Sequence, residues 1–124
     1  MNRKGFTLVE LLVIMMIIGV LLMIARISYV SIIDNSNKNV LHANHKVLVQ
    51  GILLYSAEHE NRYPTTLSQV YHYVTTPSGI VPLNGSPAGS VYTWSPSGSP
   101  GKYILHSELY KGGTLIDEVY FETD

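Results

Sequence analysis

Between residues 6 and 25 the chain runs Phe6-Thr7-Leu8-Val9-Glu10-Leu11-Leu12-Val13-Ile14-Met15-Met16-Ile17-Ile18-Gly19-Val20-Leu21-Leu22-Met23-Ile24-Ala25, twenty residues with a single charge. As an α-helix this stretch spans about 30 Å, the hydrocarbon thickness of a bilayer. Its nearly uniform apolarity demands apolar surroundings, whether lipid or other helices. Glu10 is the exception. A carboxylate in an apolar span is costly, so its presence calls for a partner or a job.

Arg3 and Lys4 precede the span and Arg26 follows it. The two leading cations favour a cytoplasmic N-terminus, and the Arg26 side chain can snorkel to the opposite interface. A secretory signal peptide fits poorly. Its basic region would be four residues long, and no A-x-A-like site follows Ala25, where Arg26-Ile27-Ser28-Tyr29 continues as apolar-periodic sequence.

The chain has 124 residues, room for one modest globular unit beside the apolar arm. Without Arg3 and Lys4, six basic side chains face nine acidic ones, a net charge of −3. No clustered cations suggest a nucleic-acid groove, and no direct nucleic-acid binding is expected. The absence of cysteine excludes disulfides and thiolate chemistry.

Beyond Ala25, Ile33, Val40, Leu41, Val47, Leu48, Ile52 and Tyr55 recur at three- and four-residue spacings. Asp34, Asn35, Asn37, Lys38, His42, Asn44, Lys46 and Gln50 lie between them. This pattern predicts an amphipathic helix that extends the span to about residue 60 as a single rod, softened near residues 34–37. Gly51 costs about 1 kcal/mol relative to Ala in such an interior. Asn61-Arg62-Tyr63-Pro64 ends the rod, because proline disfavours helical geometry at Tyr63. Residues 66–74 form one short helix with Leu67, Val70 and Tyr71 as its apolar face. Residues 75–89, with three prolines and three glycines, are a loop. Strands are expected over residues 90–94, 102–107 and 114–122, with glycine-rich connections between them. The expected fold class is α+β: a long N-terminal membrane-spanning helix continues into an amphipathic half packed against a small antiparallel sheet.

The segment Gly5-Phe6-Thr7-Leu8-Val9-Glu10, with the apolar run through Gly19, strongly resembles the type IV pilin and type II secretion pseudopilin superfamily. The resemblance implies that residues 1–5 are a leader peptide. A prepilin peptidase would cut between Gly5 and Phe6 and N-methylate Phe6. It also implies an assembly role for Glu10 through a neighbouring subunit's amino group. Residues 6–25 would then be the membrane and fibre-core segment, residues 26–60 the amphipathic continuation, and residues 61–124 the head. Physically, cleavage creates an ammonium at the edge of an apolar bundle, and Glu10 supplies a compensating carboxylate. Phe6 and Glu10 are four apart on a helix, so an internal pair would neutralise the monomer. An intermolecular pair would instead set the axial register between subunits, and the sequence leaves both open.

The exit Tyr55-Ser56-Ala57-Glu58-His59-Glu60-Asn61-Arg62-Tyr63-Pro64 is similar to that of the major pseudopilins, as are Tyr92-Thr93-Trp94-Ser95-Pro96 and Gly101-Lys102-Tyr103-Ile104-Leu105-His106-Ser107. That likeness implies a structural subunit of a type II secretion pseudopilus, assembling helically to drive protein export. Adhesive or twitching pilins and competence pseudopilins are alternatives within the class; a monomeric membrane-anchored periplasmic binding module is one outside it. Implied partners are copies of the chain itself, the prepilin peptidase, minor pilins or pseudopilins, and an inner-membrane platform with a cytoplasmic ATPase. Membrane lipid would surround the span before assembly. The implied location is the inner membrane and then a periplasmic pseudopilus or surface pilus.

Two departures from the family pattern stand out. Ile27 occupies the position where the family often has a kinking proline. The major pseudopilins commonly bind calcium in their last loop; here that region holds Glu108 and Asp117, but also Lys111, whose ammonium opposes a cation. The expectation is therefore no cofactor and no metal, with a glycine turn between strands and solvent-facing acids.

Catalysis is not expected. His42 and His45 stand three apart on the predicted helix and read as polar surface; His59, His72 and His106 fall in separate elements. No H-E-x-x-H, G-x-S-x-G or P-loop pattern occurs. The nine tyrosines and Trp94 read mainly as packing within the head.

Overall fold

A computed structural model describes residues 5–74 and 87–124. The chain divides into two compact units, Met1–Asn35 and Ser36–Asp124, and one helix, α1 (Leu8–Glu58), contributes to both. The expected softening at residues 34–37 does not break α1, which stays helical through them.

In the first unit, the apolar side chains of α1 are exposed among the described residues. Leu8, Leu22 and Met23 are 81%, 65% and 72% exposed. Among the described residues, α1 is the one helix long and apolar enough to cross a membrane.

The second unit is built on the later turns of α1. Leu41, Asn44, His45, Leu48, Gly51, Ile52 and Ser56 are buried, a stripe at three- and four-residue spacings. Leu41, Leu48 and Ile52 agree with the predicted stripe. Ile33 and Val40 are 40% exposed and lie off it, whereas Asn44 and His45, read as surface, lie on it. Against this stripe packs a three-stranded antiparallel meander, β1 (Ser90–Pro96), β2 (Tyr103–Lys111) and β3 (Thr114–Glu122), in that order. The register pairs Tyr92 with Ser107, Trp94 with Leu105 and Ser107 with Val119, so these residues share the face turned to the helix. Each fully buried Leu, Ile or Val of this core contributes about 1.5–3 kcal/mol.

β3 has the predicted bounds. β2 runs four residues further than expected, because Glu108 and Tyr110 continue its alternation on the outer face while Leu109 is buried. Gly112 and Gly113, both at positive φ, connect Lys111 to its partner Thr114, as a tight two-residue hairpin turn requires. One residue of β3, Ile116, bulges between the pairs Leu109–Asp117 and Tyr110–Leu115.

Two sequence expectations are corrected. α1 ends at Glu58, before Pro64 has any effect. Glu60 and Asn61 adopt left-handed φ of 54° and 62°, and the Asn61 N–H bonds back to the Ser56 carbonyl at 2.9 Å. That is a Schellman-type ending, in which glycine at the left-handed position is the usual cue and glutamate is not. The single helix expected over residues 66–74 is instead two 3₁₀ turns, Leu67–Gln69 and Tyr71–Tyr73. Val70 and Val74 are the buried side chains there, while Leu67 and Tyr71 are half-buried. β-Branched and aromatic residues favour helix weakly, and the Gln69 side chain accepts from the Thr65 N–H at 2.8 Å, tightening the first turn. The loop expected over residues 75–89 lies outside the described residues, save for its last three.

Gly51 explains why these turns sit so close to α1. A Cβ at this position would stand 2.4 Å from Val74 Cγ2 and 2.6 Å from Val70 Cγ1. The helix-weakening residue is the one that admits the valines.

Candidate functional site

The candidate site begins where α1 begins. Gly5, Phe6 and Thr7 precede the helix, and Thr7 occupies its N-cap. The Glu10 carboxylate accepts a hydrogen bond from the Thr7 N–H at 3.0 Å, and the Glu10 N–H donates to Thr7 Oγ1 at 3.2 Å. This is a reciprocal capping box, satisfying two of the helix's orphan donors. It also sets the carboxylate at the positive end of the helix dipole. The signal for it, Thr-x-x-Glu before an apolar run, stands in the sequence at residues 7–10, and reasoning about charge pairs alone overlooks it.

The geometry adds a partner for Glu10 that is not an amine. Thr7's N–H belongs to the peptide bond that follows Phe6, so a cut between Gly5 and Phe6 leaves it in place. Phe6 is 80% exposed, and a Cβ added to Gly5 would meet no atom within 4 Å. Nothing in the described packing demands glycine at position 5.

In the second unit, the histidines are drawn into contacts that linear order hides. His45 is buried, a correction to its reading as polar helix surface. Its Nδ1 lies 2.8 Å from Ser107 Oγ on β2, and it also hydrogen-bonds to the backbone of Tyr120 on β3. Burial, with His42 close by, pushes its pKa below the usual imidazole range, and the Tyr120 bond opposes this. Asn44 Nδ2 donates to Tyr92 Oη at 3.0 Å, so two polar residues tie α1 to all three strands. His42 is exposed and pairs with Asp117 Oδ2 at 2.8 Å. His59 stacks on Tyr55 with ring centroids 3.9 Å apart. Trp94 stacks on Tyr103 at 5.1 Å and donates to the Pro64 carbonyl at 2.7 Å.

The two calcium candidates are not brought together. Glu108 pairs across the strands with Glu118, and Asp117 with Leu109, so Glu108 and Asp117 lie on opposite faces of the sheet. Glu108 neighbours His106 instead, at 3.5 Å.

Comparison with known sequences bears on the N-terminal site. Residues 1–25 match the prokaryotic N-terminal methylation motif. No curated protein and no solved structure matches the chain. The motif covers Gly5, Phe6 and Glu10. With the long helix packed on a small antiparallel sheet, it makes the chain pilin-like in fold and consistent with the broad type IV pilin and pseudopilin superfamily. Fold and motif together point to a structural protein, not an enzyme.

Proposed function

We propose that this chain is a fibre subunit of the pseudopilin kind, most simply the major pseudopilin of a type II secretion system, whose helical growth drives protein export. The observation that carries the reading is the combination at the N-terminus. A methylation motif leads into a helix whose apolar side chains are exposed on every side over residues 8–33, with one carboxylate in its first turn. Such a surface needs lipid before assembly and like surfaces after it. The Tyr63-Pro64 step and the small terminal sheet support the choice of branch.

In this reading residues 1–5 are a leader that keeps the N-terminus cytoplasmic. A prepilin peptidase cuts after Gly5 and methylates Phe6, and an inner-membrane platform with a cytoplasmic ATPase draws the subunit from the membrane. The new ammonium of Phe6 then meets the Glu10 carboxylate of an adjacent subunit. Fibre growth follows from a contact that repeats without closing into a ring.

Intact-mass spectrometry of the chain recovered from membranes of a peptidase-containing host tests this directly. The expected species lacks residues 1–5 and carries one added methyl group on Phe6. Retained Met1 in the presence of active peptidase, or cleavage beyond Ala25, contradicts it.

A further inference from the structure

On the sheet face turned away from α1, three metal-ligating side chains converge. His106 and Glu108 stand two apart on β2 and so share a face, and Glu118 on β3 lies directly across from Glu108. His106 Nε2 is 3.2 Å from Glu118 Oε2 and 3.5 Å from Glu108 Oε1. One donor atom from each of the three falls within 4.8 Å of the others. The side chains are 25%, 21% and 41% exposed for His106, Glu108 and Glu118, a partly shielded site still open to solvent.

This arrangement costs the sheet something unless a cation completes it. Like charges directly opposite on antiparallel strands repel. The surroundings also orient the donors. Tyr120 Oη donates to Glu118 Oε2 at 3.0 Å, and Tyr110 hydrogen-bonds to Glu108. The His106 ring lies flat on Tyr120, with centroids 4.2 Å apart and 12° between planes. Hydrogen-bonded carboxylates and a ring held in one orientation are what a metal's outer shell supplies.

We propose that His106, Glu108 and Glu118 bind one divalent transition-metal ion, zinc by preference, through His106 Nε2 and an oxygen of each carboxylate. A neutral imidazole and two carboxylates balance the charge of a divalent ion. One nitrogen with two oxygens suits zinc and its neighbours, whereas calcium asks for six to eight oxygens. Three protein ligands leave a fourth position of a zinc tetrahedron to solvent.

The alternative is an ion pair alone, with a protonated His106 serving both glutamates. Calorimetric titration of the detergent-solubilised full chain with zinc chloride at neutral pH separates the two. One ion per chain is expected, undisturbed by excess calcium, with X-ray absorption showing nitrogen and oxygen ligands. His106→Ala and Glu118→Gln should each abolish the saturable site. Tyr120→Phe, which frees Glu118 without removing a ligand, should weaken it about ten- to a hundredfold. His59→Ala and His72→Ala should leave it unchanged. The proposal is overturned if the folded wild-type chain shows no saturable zinc binding, or if binding persists in His106→Ala. It is overturned equally if Tyr120→Phe, melting like the wild type, binds zinc with unaltered affinity. No binding together with a lowered melting temperature in Glu118→Gln would identify the ion pair.

Discussion

Asn44 and His45 show how far a residue's type can mislead about its place. Both sit on the buried stripe of α1 at positions the apolar residues leave open, and each meets a strand side chain across the core. Their burial is not legible in the sequence, because polarity marks the solvent face of a helix unless the partners Tyr92 and Ser107 are known to stand opposite. Leu41, Leu48 and Ile52 needed no such knowledge. The buried imidazole has a consequence for acid stability. His45 is held below the ordinary range, so between its folded pKa and about 6.5 the unfolded chain binds the proton and the folded chain does not. Stability is therefore full above about pH 6.5 and falls as the pH drops toward the folded value. The titratable groups nearby are His42 and its partner Asp117; Tyr92, Ser107 and the Tyr120 backbone complete the surroundings. Thermal melts of the detergent-solubilised chain across this range should show the loss. His45→Gln, which keeps a hydrogen-bonding group but cannot take up the proton, should flatten it.

Elements were legible to different degrees, for identifiable reasons. The bounds of β3 are legible because turn glycines precede it and Thr114, Ile116, Val119, Tyr120 and Phe121 favour strand. The last residues of β2 are not legible, since Glu108 and Lys111 disfavour strand; pairing with Val91 and Glu118 overrides this at Glu108, and pairing with Thr114 at Lys111. The cause of the end of α1 is not legible, because proline is a conspicuous signal and a left-handed Glu60 is not. In sequence Gly51 is only a local cost, and its role appears when Val70 and Val74 are folded onto it. Propensity and packing here have opposite signs. Gly51→Ala gains up to about 1 kcal/mol of helix propensity, while overpacking a filled core costs about 1–3 kcal/mol. β-Branched valines yield little at χ1, so packing should win. A net loss of stability on Gly51→Ala, read by thermal or denaturant melts, is the expected result. A stabilised variant would show that the turns can move away from the helix at little cost.

At the scale of the whole molecule, the described residues offer partners the apolar length of α1 and its charged start. The α+β class is legible in the apolar span and the strand pattern, and the N-terminal methylation motif in residues 5–25. The capping contact between Thr7 and Glu10 could not be weighed until the start of the helix was known. That contact changes what a substitution at Glu10 means. Glutamine also serves as the third residue of a capping box, so Glu10→Gln can keep the bond to the Thr7 N–H while removing the charge. A defect in Glu10→Gln is therefore a defect of charge and not of helix initiation. Removing one member of a buried ion pair costs about 3–5 kcal/mol, more than a hundredfold in association. The decisive measurement is the rate and yield of fibre formation by Glu10→Gln subunits that are cleaved and membrane-inserted at wild-type levels. Loss of fibres by about a hundredfold or more is expected if the Glu10 carboxylate meets a neighbour's ammonium. Fibres formed at the wild-type rate would contradict that pairing and leave Glu10 as the cap of its own helix.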